Sequence, residues 1–212
     1  MNTYERTVLK VAHFEESTQL LGPYDRFVLW VHGCCFDCPG CLADNAKFGA
    51  YDEMDIESIS KKILLSGCEG ITVSGGEPFM QSAALSELIR ITRLRKNIGV
   101  IVYSGYTLDE IKNTPEFLPL LSEIDILIDG RYKKELDDGR AYVGSRNQQI
   151  HYLTPRYIEA GQAYYSQIGR RAEIKFTPNQ VVLVGVPSNE VLNVWKSIRA
   201  KSGNTGDAKH DF

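Results

Sequence analysis

No run in this sequence of 212 residues approaches the ~20 apolar residues that a membrane-spanning helix needs. No membrane segment is therefore expected. Neither sign of charge dominates, and a net charge of −3 leaves no global footprint for nucleic acid. The one basic run, Arg90, Arg93, Arg95 and Lys96, reads as a solvated helix end. Histidine is scarce: there are four, and His13, His151 and His210 lack ligand spacing. Cysteine is scarce too, and its five copies suit disulfides poorly. The number is odd, Cys34 and Cys35 are neighbours, and four of the five lie between positions 34 and 41. A reducing compartment with metal-bound thiolates fits better, so a cytoplasmic location is expected. The opening MNTYERTVLK mixes acid and base ahead of any apolar stretch, unlike a secretory signal. There is no internal repeat and no linker long enough to divide the chain.

What is present is enough apolar sequence, 43%, to bury a full sheet-and-helix core in one domain. Val8 to Val11 reads as a first extended segment, and Phe27 to Val31 as a strand covered on both faces. Asp55 can cap a helix carrying Ile56, Ile59, Ile63 and Leu64 on one face. Ile71–Val73 is a strand ending in Ser-Gly-Gly-Glu-Pro, followed by a helix with Leu85, Leu88 and Ile89 inward. Val100–Tyr103 is the next strand, Thr107 and Glu110 make a capping box, and Ile124–Ile128 is a strand ending at Asp129-Gly130. This alternation predicts an α/β fold with right-handed βαβ units and a mostly parallel sheet. Beyond residue 155 the pattern changes. Residues 173–176 and 181–184 predict a hairpin around 177–180, and Ser188 a last helix with Val191, Trp195 and Ile198 inward. The polar end SGNTGDAKHDF is expected to be a disordered tail.

Glycine-rich segments follow three strands, at Gly33, at Gly75-Gly76 and at Ser104-Gly105. Ligands of parallel sheets collect at the carboxyl ends of strands, so these segments are expected to converge. The cysteines offer the spacing Cys34-x3-Cys38-x2-Cys41. Three thiolates on a tight loop can hold three corners of a cubic iron–sulfur cluster and leave one iron open for chemistry. Cys35 falls outside that spacing, and Cys68 reads as a small buried hydrophobe. A closed zinc site is the competing reading. It wants four ligands in separated pairs, which are not found here, and His32 would crowd Cys34. Gly75 and Gly76 allow close backbone approach to a ligand, Glu77 supplies charge for an ammonium group, and Ser104 is a candidate hydrogen-bond donor.

GCCFDCPGC, SGGEP, YSGYTLDEI, IDILIDGRY and GSRNQQIH follow one another from about residue 22 to residue 153. In this order they resemble the radical S-adenosylmethionine (SAM) superfamily and, within it, the activases of glycyl radical enzymes such as anaerobic ribonucleotide reductase. The resemblance implies a partial (β/α)6-type radical SAM barrel, with core 22–153 and extension 154–200 in one domain spanning 1–200, and a tail at 201–212. It implies a [4Fe–4S] cluster on Cys34, Cys38 and Cys41. SAM would be held by Gly75, Gly76, Glu77 and Ser104, with Asp129 and Arg131 at its ribose or carboxylate. No catalytic side chain beyond the cluster and SAM is implied. The implied partners are a glycyl radical enzyme and a flavodoxin or ferredoxin electron donor. Two departures stand out: Gly40 replaces the aromatic residue that many superfamily members carry before the third cysteine, and the stretch from 155 onward matches no motif. Two other readings remain open. One is a small radical SAM enzyme acting on a peptide or small molecule; the other is a non-catalytic electron-transfer module, for which an ammonium site would have no use.

Overall fold

The computed structural model describes residues 6–41, 43–139, 141–176 and 181–201. The first strand, Val8–Thr18 (β1), turns back antiparallel onto Arg26–Val31 (β2), all of whose residues are buried. On its other side β1 pairs, again antiparallel, with Asp52–Asp55 (β3). From β2 the sheet continues through Gly70–Gly75 (β4), Gly99–Tyr103 (β5) and Ile126–Asp129 (β6), each parallel to the last. It ends on Gln149–Tyr152 (β7), antiparallel to β6. The order is β3-β1-β2-β4-β5-β6-β7, a mixed α/β sheet whose centre is parallel, as the alternating pattern predicts.

The antiparallel flanks were not expected. The first strand runs seven residues past the predicted Val11, with register shifts between Val11 and His13 and between Glu15 and Thr18. Such irregularities accommodate the acidic stretch without burying it. β3 and β7 are absent from the sequence reading altogether: one is almost all acidic, the other short and half polar. The expected turn 177–180, the side chain of Ile198 and the polar tail 202–212 lie outside the described residues.

A short helix, Asp44–Phe48 (α1), follows the cysteine loop. Ile56–Ser66 (α2) and Ser82–Arg93 (α3) cross between parallel strands. Leu108–Lys112 (α4) and Leu118–Leu121 (α5) do the same before β6. Asp55 caps α2 by accepting from Ser58 N at 2.9 Å, and both arms of the Thr107–Glu110 capping box are made. The basic run closes α3: Arg93 pairs with Glu123 and Asp125, while Lys96 Nζ reaches the carbonyls of Gly67 and Cys68. Among the described residues no helix is long and apolar enough to cross a membrane.

The two faces of the sheet are covered differently. Phe27, Leu29, Val31, Ile71, Val73, Val100 and Val102 point to the helices and join Ile59, Ile63, Leu85 and Leu88 in one core. The alternate residues Val28 and Trp30 face the other way. They pack against Leu21, Val182 and Val184. Those two valines belong to the predicted hairpin, Ala172–Phe176 (β8) with Val181–Gly185 (β9), reached through the helix Ile158–Tyr165 (α6). The last helix, Asn189–Lys201 (α7), starts with Ser188 Oγ accepting from Val191 N, and its Trp195 is buried.

One charged residue is fully buried at the start of β2. Arg26 pairs with Glu69 at 2.7 Å and donates to Thr72 Oγ1, Tyr157 OH and the carbonyls of Ile71 and Gly99. It joins the opening residues of three parallel strands to the segment before α6. Glu69 is partly exposed and keeps Arg156 as a partner. Arg26→Ala leaves Thr72, Tyr157 and the carbonyls of Ile71 and Gly99 without this donor and opens a cavity, so it is expected to cost about 3 kcal/mol or more. Chemical denaturation checks this, and a loss under about 1 kcal/mol would show that the Arg26 hydrogen bonds are not what holds these strand ends.

Candidate functional site

The parallel register sets the ends of β2 and β4 level, with Val31 beside Gly75. Past those ends two backbones meet. Gly76 N donates to Val31 O at 2.7 Å, and Glu77 N donates to Gly33 O at 2.8 Å. A Cβ on Gly76 would stand 1.9 Å from that Gly33 oxygen, and Gly75 has φ +102°. The two glycines were expected to make room for a ligand. Both line the cavity, and behind them Gly75 abuts Val31 at the end of β2 while Gly76 abuts Gly33 at the start of the cysteine loop, which the turn clasps.

Glu77 is 1% exposed, and its carboxylate already has three donors. Phe79 N lies 3.0 Å away, Ser104 Oγ 2.9 Å and Gly105 N 2.8 Å. Glu77 thus ties the end of β4 to the end of β5, and Ser104 spends its hydroxyl donor on that tie. Burial pushes the Glu77 carboxyl up to about 7, against the opposing pull of these hydrogen bonds.

Cys34, Cys38 and Cys41 line one cavity together with Gly75, Gly76 and Glu77. Ser104 and Arg131 line it as well, so eight of the nine expected site residues converge. Asp129 does not: it lines an adjoining hollow that shares Gly105, Gly130 and Arg131 with the first. The Asp129 carboxylate accepts from Leu108 N at 2.6 Å and stands 3.0 Å from His151 Nε2. Arg131 is half exposed, pairs with Glu110 at 3.2 Å, and sits 4.5 Å above the Phe36 ring. Asn147 lines the same hollow as Asp129, donates to Arg131 O and accepts from Ser145 Oγ.

Several lining residues escaped the sequence reading. Phe36, inside the cysteine loop, packs so closely on Gly105 that a Cβ there would meet its ring at 2.5 Å. Its position as the sole aromatic between the cysteines was the available signal. Lys47 lines the cavity and pairs with Asp37 at 2.9 Å. Tyr103, Tyr142 and Val186 form another part of the wall, and no local motif marks them.

The donor set fits an iron–sulfur cluster. All five cysteines are free, and the three of the motif share the cavity. Phe36 N lies 3.4 Å from Cys34 Sγ, an N–H directed at the sulfur. Burial pushes the Cys34 thiol up to about 11, with Glu77, Cys35 and Cys41 adding to the shift, so this sulfur ionises readily only when a metal replaces its proton. Among the described residues no three His, Cys, Asp or Glu side chains are drawn to a common point that could hold a metal ion. The preformed part of the site is therefore the cavity and its cradle. Cys35 is exposed, 3.3 Å from Tyr106 OH and off the cavity wall; Cys68 is buried, with Sγ directed at Glu16 O. His32 stacks on Tyr51 rather than facing the sulfurs.

The family profile described as a 4Fe-4S single cluster domain matches residues 20–151, the stretch from just before β2 to β7. The chain belongs to that family. An anaerobic ribonucleoside-triphosphate reductase-activating protein of Enterobacteria phage T4 is 30% identical over 136 residues, which cover 61% of this chain and 85% of the phage protein. Proteins of the same name from Vibrio cholerae and Escherichia coli K12 are 30% and 28% identical over 144 residues, covering 63% and 62% of this chain and 91% of each relative. A 4Fe-4S family and a likeness to reductase-activating proteins agree with the resemblance carried by the motifs.

The raised Glu77 carboxyl has a readable consequence in the metal-free protein. Its folded value, about 7, lies above the ordinary 4.5, so the folded state holds this proton more tightly than the unfolded one. Its contribution to stability is complete below pH 4.5 and is lost as pH rises through about 7. Denaturant titrations over this window should show wild-type stability falling relative to Glu77→Gln; equal pH slopes for the two proteins would contradict the assignment.

Proposed function

We propose that the chain is a radical SAM oxidoreductase that activates a glycyl radical enzyme, most directly an anaerobic ribonucleotide reductase. The supporting observation is the single cavity shared by Cys34, Cys38 and Cys41 with the clasped Gly75–Glu77 turn and Ser104. In this reading residues 1–200 are one radical SAM unit. The parallel β2-β4-β5-β6 core is the partial (β/α)6-type barrel, and the extension takes the place of further strands.

Cys34, Cys38 and Cys41 would hold three corners of a [4Fe–4S] cluster. When bound, the cluster and SAM would supply the one-electron radical chemistry that removes the Cα hydrogen of one glycine on the partner. The chain's own residues position and shield. Gly75 and Gly76 present backbone to the amino acid end of SAM, and buried Glu77 fixes that turn against Ser104 and Gly105 while lending negative charge toward the ammonium group. Arg131, held over Phe36, is the partner for an anion such as the SAM carboxylate. Asp129, which lines the adjoining hollow, would take the ribose. No side chain at the cavity is required as acid or base. The work is to hold reactants within reach and exclude water. A flavodoxin or ferredoxin supplies the electron, and the setting is the cytoplasm.

Anaerobic reconstitution tests this reading. Cys34→Ala, Cys38→Ala and Cys41→Ala should each lose the cluster and SAM cleavage, whereas Cys35→Ala and Cys68→Ala keep both. Incubation of the wild type with the reductase, SAM and reductant should give a glycyl radical signal in electron paramagnetic resonance. SAM cleavage with no such signal on any glycyl radical enzyme would point instead to a peptide or small-molecule substrate.

A further inference from the structure

Among the described residues, the wall of the cysteine cavity carries three charged side chains: Lys47, Glu77 and Arg131. Glu77 and Arg131 have places in the reading above, and Lys47 has none. The two cations differ in shielding. Arg131 is half exposed and pairs with Glu110, which is open to water to a similar degree. The Lys47 side chain is only 12% exposed, whereas its partner Asp37 is fully exposed. Water screens an exposed charge far more than a sheltered one. The field of Lys47 therefore reaches the cavity, and that of Asp37 is largely damped.

Backbone and side chain both fix Lys47 in this place. Its N–H donates to Ala43 O at 3.2 Å, and Gly33 N, at the start of the cysteine loop, donates to Ala46 O at 2.9 Å. These bonds tie α1 back across the loop that it follows. Phe48 is 72% exposed, and Lys47 Nζ lies over its ring, 4.5 Å from the centroid. On the other side Nζ donates to Asp37, in the middle of the loop, at 2.9 Å. The hydrogen bond to Asp37 pushes the Lys47 ammonium up, and Cys34 and Cys41 add to that shift. The side chain is thus a fixed positive charge whose neighbours include two of the three motif sulfurs.

Thiolates around an iron–sulfur cluster concentrate negative charge, and reduction adds one electron more. A fixed cation beside them stabilises the reduced form more than the oxidised form. Glu77 acts in the opposite sense, and solvent screens Arg131. We propose that Lys47 sets the reduction potential of the cluster, raising it toward the reach of a one-electron donor. This rests on the cluster reading above and gives a role to a residue that neither the cysteine spacing nor the glycine turn marks. Lys47 tunes and does not ligate: no bond is made or broken at its nitrogen, and the electron comes from the donor.

A redox titration of the anaerobically reconstituted full-length protein, followed by electron paramagnetic resonance of the reduced cluster, tests this at constant ionic strength. Lys47→Met keeps the stem and removes the charge. At a fixed potential its ratio of reduced to oxidised cluster should fall about tenfold, which is about 59 mV for one electron. Lys47→Arg should match the wild type. Asp37→Asn removes only the screened countercharge, so it should leave the potential unchanged or raise it. A Lys47→Met midpoint equal to that of the wild type, or a Lys47→Arg midpoint equal to that of Lys47→Met, overturns the inference. A lower potential in Asp37→Asn does so too, since the ion pair would then act by holding the loop. If Lys47→Met takes up no iron, Asp37→Asn decides by the same rule. A wild type that takes up no cluster overturns the cluster reading instead.

Discussion

The N–H of Glu77 donates to the carbonyl of Gly33, and nothing larger than a hydrogen atom fits on Gly76 between them. That contact joins the Gly-Gly turn to the loop carrying the three cysteines. It is made of backbone, so it depends on the parallel register of β2 and β4 and on nothing that a side chain could replace. From Glu77 the linkage continues by side chain to Ser104 and Gly105, and from Gly105 by packing to Phe36, which returns to the cysteine loop. The circuit closes on itself. Three strand ends and one loop are held as a unit, and the cavity is the space they enclose.

A buried carboxylate is a costly device for such a tie, and three donors make it tolerable. The same group faces the thiols and adds to the upward shift of Cys34, so the cradle resists accumulating negative charge while empty of cations. Ionised sulfurs and an ionised Glu77 become compatible once positive charge enters the cavity. Assembly of the site and occupation of the site are thus one electrostatic problem.

The central fold was legible because its signals are local. Phe27–Val31 reads as a strand from its unbroken apolar run, α2 from its Asp55 cap, and α4 from the Thr107–Glu110 box. The edges were not legible. β3 is Asp-Glu-Met-Asp, a composition that opposes strand formation unless a neighbour such as β1 supplies the hydrogen bonds, and charge on an edge strand discourages pairing with other chains. The thiols and the glycine turn could be found from spacing. Glu77 was found for its charge, although what the fold first asks of it is three hydrogen bonds. Tyr142 and Val186 carried no signal, because their place on the cavity wall arises from contacts with residues distant in sequence.

The alternation of side chains in β2 gives the sheet two independent covers, helices against Phe27 and Leu29 and the hairpin against Val28 and Trp30. Packing defects do not pass easily through a hydrogen-bonded sheet, so substitutions on the two sides should add rather than compound. The hairpin cover could thus be altered or lengthened without change to the helical layer. A fold built this way can alter what surrounds its cavity without disturbing the scaffold that holds the cysteine loop.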